Sequence, residues 1–326
     1  MKLYSNEENK RLIASMIAKG REPHSVVITG ERGSGRKALA RYYAQALFCE
    51  SGTGIPCGKC RRCRMTEHGN NPDLITLEAN ENGNYMLDSV RAMVSDAVIK
   101  PNEGSYKVYI IPDFDRSVNT AVQVQNVLLK LIEEPPPHCV VILTSVTKEI
   151  FLQTIISRVI CFGTERCTRH QAEEWLTLQG RFEQDDIIHA VGCCGGNFGR
   201  CLEFLEGKEL PAAYEIARSA CDALIKGSEY ELLKAFTAAD GKKPILRQAL
   251  LFLAETVRTA ALLCIGAPHE PCCYEKGAEQ LSKGWQSDTA DRAYQLLTDA
   301  VMRLDANCSQ SLTVNNLTGQ LIKAKQ

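Results

Sequence analysis

Residues 25–40, SVVITGERGSGRKALA, pack an apolar run, a glycine-rich turn and the start of a helix into one short stretch. SVVIT (25–29) is rich in β-branched residues and reads as a short buried strand. Gly30, Gly33 and Gly35 follow, and a helix is predicted from about Gly35 to Cys49. A strand that turns straight into a helix aims backbone N–H groups and the helix N-terminus at one point, the geometry of a phosphate-binding loop. The alternation continues downstream. DLITL (73–77), KVYII (107–111), CVVILTS (139–145) and VICF (159–162) read as strands, and VRAMVSDAVI (90–99) and TAVQVQNVLLKLIEE (120–134) as helices. Pro135, Pro136 and Pro137 stop the second helix. Ahead of the first strand, Ser5 and Glu8 predict a capping box on a helix with Leu12, Ile13, Met16 and Ile17 on one face. Five strands alternating with helices imply an α/β fold with a doubly wound parallel sheet over residues 1–163.

After Phe162 the strand signals vanish. QAEEWLTL, DDIIHAV and GGNFGRCLEFLE, within 168–206, read as two or three short helices, and 211–325 as about five helices of bundle type. Apolar residues make up 44% and charged residues 24%, the balance of a globular chain. Lys+Arg is 38 against Asp+Glu 39, which argues against a bulk electrostatic grip on nucleic acid or an anionic membrane and leaves room for a local basic patch. The N-terminal segment MKLYSNEENKRL has no apolar core of a secretory signal, and no apolar run reaches membrane-span length, so a cytoplasmic protein is expected.

The glycine turn departs from the full phosphate-loop pattern G-x-x-x-x-G-K-[ST]. Arg36 holds the Lys position and Lys37 holds the hydroxyl position that would ligate Mg²⁺. A Lys one residue late is rotated by about 100° around the helix and is not expected to replace the missing one. A second departure lies in YKVYIIPDFD, an apolar strand ending in Asp113, which could help hold Mg²⁺. The next position, where such an ATPase carries a water-orienting Glu, is Phe114. Asp115 is expected on the opposite face from Phe114 if the segment stays extended. The pattern therefore predicts an ATPase fold without its own catalysis, and it does not require that ATP or Mg²⁺ bind.

Two further features stand out. Cys49, Cys57, Cys60 and Cys63 form C-x7-C-x2-C-x2-C, a spacing that closes a tetrahedral Zn²⁺ shell of structural type, with Lys59, Arg61 and Arg62 expected to offset the thiolate charge. This module is expected as a small surface knob, and the other eleven cysteines as small apolar residues. Thr144 and Ser145 fall at a strand end, beside the place of a γ-phosphate in such a fold. Ser157 and Arg158 follow a short apolar helical turn. A lone Arg there is either a surface ion-pair residue or a group projected at a neighbouring subunit to stabilise phosphoryl-transfer charge in trans, and periodicity leaves both open.

Taken together, GERGSGRKALA, CGKCRRC followed by HGNNPDLITLE, NVLLKLIEEPPPHCVVILTS and TIISRVICF resemble the delta-prime family of bacterial DNA polymerase III clamp-loader subunits, within the AAA+ superfamily. The resemblance implies an AAA+ core (1–163) with a zinc module (49–63), a helical lid (164–207) and a helical, oligomerising collar (208–326). It implies a hetero-pentamer with delta and three motor subunits, tau or gamma, that acts on the sliding clamp and primer–template DNA in the cytoplasmic replisome. In such a ring this subunit is a stator without useful ATPase, a non-catalytic part of a polymerase holoenzyme, and it presents its S-R arginine to a neighbour's ATP. Ser157 and Arg158 match that motif, with Val159 where the family commonly has Cys. Arg200, in GGNFGRCLEFLE, matches the lid arginine. Motor subunits carry the cysteine module too, so the altered loop is what separates the stator reading from its alternative, a motor-type ATPase with an atypical loop. A zinc-containing DNA-binding protein is a third reading, which the charge balance disfavours.

Overall fold

The computed structural model describes residues 3–117 and 121–325, which fall into two compact units, Met1–Cys167 and Thr168–Gln326. The first unit contains α1 (Glu7–Ala18), β1 (Ser25–Thr29), α2 (Arg36–Phe48), α3 (Arg61–Glu67), β2 (Leu74–Thr76), α4 (Leu87–Asp96), β3 (Lys107–Ile111), a 3₁₀ turn (Phe114–Arg116), α5 (Ala121–Glu133), β4 (Cys139–Ser145), α6 (Gln153–Ile156) and β5 (Ile160–Gly163). The strands form one parallel sheet in the order β2-β3-β4-β1-β5. Alternate side chains feed two cores. Val27, Tyr109, Ile111, Val141 and Leu143 face a layer that includes Val90 and Met93 of α4 and Leu128 and Ile132 of α5, while Val26, Ile28, Val108, Ile110, Val140 and Ile142 face Ile13, Leu39 and Tyr43 of α1 and α2. Burial on both faces is why these strands read as unbroken apolar runs. The turns after β1, β3 and β4 meet at the carboxyl ends of the strands, where ligands bind in sheets of this kind.

Several elements differ from the sequence reading. β2 is three residues long, α4 begins three residues earlier than expected, and Thr120 lies outside the described residues. The Ser5–Glu8 capping box does not form. Ser5 and Asn6 are both left-handed (φ 57° and 61°), and α1 starts at Glu7 with no side-chain cap. Ser5 Oγ instead donates to the Glu165 carbonyl, and Asn6 Oδ1 accepts from the Glu165 N–H, so the entry to α1 is spent on holding the segment after β5.

The second unit is all helix: α7 (Arg169–Gln179), α8 (Gln184–Cys194), α9 (Phe198–Glu206), α10 (Glu209–Lys226), α11 (Glu229–Thr237), α12 (Lys243–Cys264), α13 (Glu275–Gly284), α14 (Ser287–Asp305) and α15 (Gln310–Lys325). The long α12 is central and packs on α10, α13 and α14. Beyond residue 211 the bundle shows α11 to α15 and most of α10, one helix more than expected. One continuous cluster of buried apolar side chains runs from Ala172 to Leu321.

Candidate functional site

The loop after β1 closes tightly on the end of β5. Gly33 and Gly35 are left-handed (φ 82° and 89°), a conformation that a Cβ would strain. At Gly30 a Cβ would lie 1.8 Å from Thr164 Oγ1, so that position tolerates no side chain. Thr164 Oγ1 donates to the Thr29 carbonyl and lies 2.7 Å from Ser34 Oγ, fixing the loop to the segment after β5. Gly35 caps α2, which places Arg36 and Lys37 in its first turn.

Of these two cations Arg36 is buried and Lys37 is exposed, and both are paired with acids. The Arg36 guanidinium is 6% exposed, with Nη2 2.9 Å from Asp113 Oδ1 and Nη1 3.3 Å from Asp115 Oδ1. Lys37 Nζ lies 2.7 Å from Asp113 Oδ2, and Arg32 Nη2 lies 3.7 Å from Asp115 Oδ2. Burial alone would raise the Asp113 pKa. The hydrogen bond and charge of Lys37, with the charges of Arg36 and Arg116, reverse that and hold it below the usual carboxylate range. Both carboxylates that could ligate Mg²⁺ are thus paired with cations of the loop.

Asp115 joins this network because the segment after β3 is not extended, contrary to the sequence reading. Asp113 is left-handed (φ 49°, ψ 49°) and Phe114–Arg116 form a 3₁₀ turn, which brings Asp115 back to the loop, where Oδ1 also accepts from the Val146 N–H at 3.0 Å. Phe114 points into the core instead. It is fully buried and stacked on Tyr85 and Phe151, at ring separations of 6.1 and 5.2 Å. The residue that follows Asp113 is therefore an apolar ring turned into the core. Thr144 is also buried, and its Oγ1 accepts from the Asp113 N–H at 2.9 Å, so this hydroxyl fixes the turn.

Arg158 sits differently. It lies between α6 and β5, with its side chain 42% exposed. Nη1 donates to the Thr154 carbonyl (2.9 Å) and to Ser157 Oγ (3.1 Å), and Nη2 lies 3.2 Å from Glu133 Oε1 at the end of α5. Among the described residues, hydrogen bonds engage Nη1, which leaves donors on Nε and Nη2 of a group that has five. Sequence reasoning missed Glu133 and Thr164 as members of these sites. The only trace of Glu133 was its place just before the proline block.

A family model described as "DNA polymerase III, delta subunit" matches residues 5–166, the whole sheet and both arginine sites. This N-terminal half belongs to the clamp-loader subunit family. The tau subunit of Escherichia coli DNA polymerase III is 32% identical over 169 residues, which span 50% of this chain and 26% of tau. The delta' subunit of E. coli is 28% identical over 228 residues, 69% of this chain and 67% of delta'. The chain thus spans about a quarter of the length of the tau relatives it matches. Among solved structures, a gamma-subunit-related protein of Thermotoga maritima aligns over 98% of this chain and 99% of its own, at 19% identity and a TM-score of 0.44. The Bacillus subtilis clamp loader delta protein aligns over 96% and 99% at 11% identity and a TM-score of 0.36.

The clamp-loader core carries the four cysteines as one cluster. The Sγ atoms of Cys49, Cys57, Cys60 and Cys63 all lie within 4.8 Å of one another, and those of Cys57 and Cys63 are 4.0 Å apart. A tetrahedral shell with Zn–S near 2.3 Å separates its sulfurs by roughly 3.8 Å, so the cluster fits such an ion. Backbone N–H groups of Cys57, Cys60 and Cys63 point at the sulfurs of Cys49, Cys57 and Cys60, each at 3.3 Å, which stabilises thiolates. The N–H groups of Lys59 and Cys60 bring the Cys57 thiol down to about 6, while burial pushes the Cys63 thiol up. The segment between the ligands is largely exposed, as expected of a surface knob, and it is anchored at its two ends. Cys49 and Cys63 are buried, and Gln45 of α2 donates to the Cys63 carbonyl at 2.9 Å. Arg61 and Arg62 do not turn to the sulfurs; both reach Glu103, in a loop whose N–H groups at residues 102–104 are gathered by the buried Asp73 carboxylate. Of the other cysteines, Cys161 and Cys308 are exposed, against the expectation for apolar filler. Arg200 lies in the first turn of α9, in the second unit, behind the Asn197 cap. Among the described residues no helix is long and apolar enough to cross a membrane.

Proposed function

We propose that this chain is a delta-prime-type stator of the DNA polymerase III clamp loader, with no ATPase of its own, that donates Arg158 in trans to ATP held by a neighbouring motor subunit. The observation that carries the reading is the set of ion pairs that joins Arg36 and Lys37 to Asp113 and Asp115. A motor subunit needs its loop cation for the β- and γ-phosphates and its strand-end acid for Mg²⁺. Here each satisfies the other. Phosphoryl transfer spreads negative charge over the γ-phosphate oxygens in the transition state, and a guanidinium placed there from outside stabilises it. Arg158, with donors to spare at the end of a short helix, suits that role, with Ser157 holding one of its nitrogens.

The partners under this reading are tau or gamma and delta, and through them the sliding clamp and primed DNA, in the cytoplasm. Residues 1–163 serve as the AAA+ core, 164–207 as a lid and 208–326 as an oligomerising collar. The four cysteines hold one structural Zn²⁺, four ligands that leave no open position for catalysis. Protein purified anaerobically is expected to carry one zinc per chain, and its removal by a chelator to lower the melting temperature of the first unit. Metal content well below one per chain would remove the assignment. The stator reading is tested by DNA- and clamp-stimulated ATP hydrolysis in the reconstituted complex with Arg158→Ala. A clear loss with assembly intact is expected; unchanged hydrolysis would make Arg158 structural.

A further inference from the structure

We propose that Glu133 is a resident counter-anion for Arg158, a positioning residue that holds the guanidinium until the phosphoryl oxygens of a neighbour's nucleotide displace it. This rests on the trans-acting reading of Arg158 given above. The two ends of the guanidinium are held in different ways. Nη1 is fixed by the Thr154 carbonyl and Ser157 Oγ, both in its own turn, whereas Nη2 faces the Glu133 carboxylate on another element at 3.2 Å. The first attachment keeps the group in register and the second is open to exchange, because both side chains are more than two-fifths exposed and an exposed ion pair is weak. Glu133 is also badly placed for its own helix. It closes α5, at the negative end of the helix dipole, beside Glu134 and ahead of Pro135–Pro137. The proline block fixes where α5 stops and so where the carboxylate stands. Glu133 engages Nη2 alone, whereas a phosphoryl group that takes Nη2 and Nε through two parallel hydrogen bonds outcompetes such a partner.

The test is the ATP dependence of hydrolysis by the complete complex with tau or gamma and delta, on clamp and primed DNA. Glu133→Gln keeps the shape and removes the charge to be displaced. The expected result is a KM for ATP about two- to five-fold lower at the affected site, with kcat nearly unchanged. That difference should shrink as salt is raised, because the pair is exposed to screening. Glu133→Asp, which retains the charge, should restore the wild-type KM. If Arg158→Ala impairs hydrolysis but Glu133→Gln leaves KM unchanged, or lowers kcat alone, Glu133 is a structural prop and this proposal falls while the stator reading stands. If Arg158→Ala has no effect, both fall.

Discussion

Arg36 follows the carboxyl end of β1 and Arg158 precedes the amino end of its parallel neighbour β5, and the surroundings of the two arginines oppose each other as well. The Arg36 guanidinium is 6% exposed and lies between two carboxylates, while that of Arg158 is 42% exposed and has one, itself open to solvent. The first arrangement neutralises a buried cation; the second leaves an exposed one with a single carboxylate partner. The difference arises from the turn after β3. Had Asp113–Asp115 stayed extended, Asp115 would have pointed away from the loop. The 3₁₀ turn instead delivers two acids to the loop cations and buries Phe114 beneath them. A residue type is therefore a poor guide to its work; the number and burial of the opposite charges around it decide whether an arginine is structural or available.

The sharpest way to break this comparison is to remove each arginine in turn. Arg158→Ala should produce the larger effect on function, a fall approaching 10³-fold or more at the one site it serves, diluted in the whole complex by the sites it does not. Its cost in stability should stay below about 1 kcal/mol, because the pair it breaks is exposed. Arg36→Met should do the reverse. It removes the buried cation from between Asp113 and Asp115, leaving them the more exposed Lys37 and Arg32, and breaking a buried pair from one side costs about 3 kcal/mol. Hydrolysis by the assembled complex should change little. Thermal melts of the isolated chain, set beside hydrolysis by the complex, read both halves; a stable Arg36→Met chain would show that the buried pairing does not hold the loop.

Acid gives a milder probe of the same contrast. Asp113 is held below the ordinary carboxylate range by the loop cations, Asp73 by the N–H groups of Asn102, Glu103 and Gly104, and Asp96 by Lys107 and Tyr109, in each case against the upward push of burial. A carboxylate whose folded pKa is depressed contributes stability that is complete above its unfolded pKa, near 3.9, and is lost as pH falls through the lower folded value. The first unit should therefore weaken from about pH 4 downward, and hydrogen exchange resolved by residue should show it opening around β2, β3 and the loop after β1. Arg36→Met should move that loss to higher pH. An unchanged acid profile would mean that Asp113 draws its stabilisation from elsewhere.

Much of this site was legible in the sequence because it depends on strand order and on missing letters. β3 and β4 fall where their apolar runs place them, since strands buried on both faces carry little else. The altered loop, the Phe at the acid's position and the cysteine spacing are all local. What was not legible depends on backbone turns or distant partners. The start of α4 carries no side-chain cap to mark it. Ser5 has the chemistry of a cap but a left-handed backbone that spends it elsewhere. Asp115 needed the 3₁₀ turn, and Glu133 meets Arg158 only through the packing of α5 beside the end of α6.

The smallest expected effect is the most discriminating. Arg36→Lys combined with Lys37→Thr restores the letters of a working phosphate loop, yet the isolated chain should gain no magnesium-dependent ATP hydrolysis. The ammonium introduced in place of the Arg36 guanidinium would still stand beside Asp113, the hydroxyl of Thr144 would still be engaged by the Asp113 N–H, and Phe114 would still occupy the place of the acid that orients water. At most a gain in nucleotide affinity is expected, read by titration with a fluorescent ATP analogue. Hydrolysis in this double variant would mean that the two loop residues were the sole obstacle, and it would favour a motor-type ancestry still close to activity. Its absence would show that restoring the two loop letters is not enough, and would direct the next substitutions to Asp113, Phe114 and Asp115 in the turn after β3.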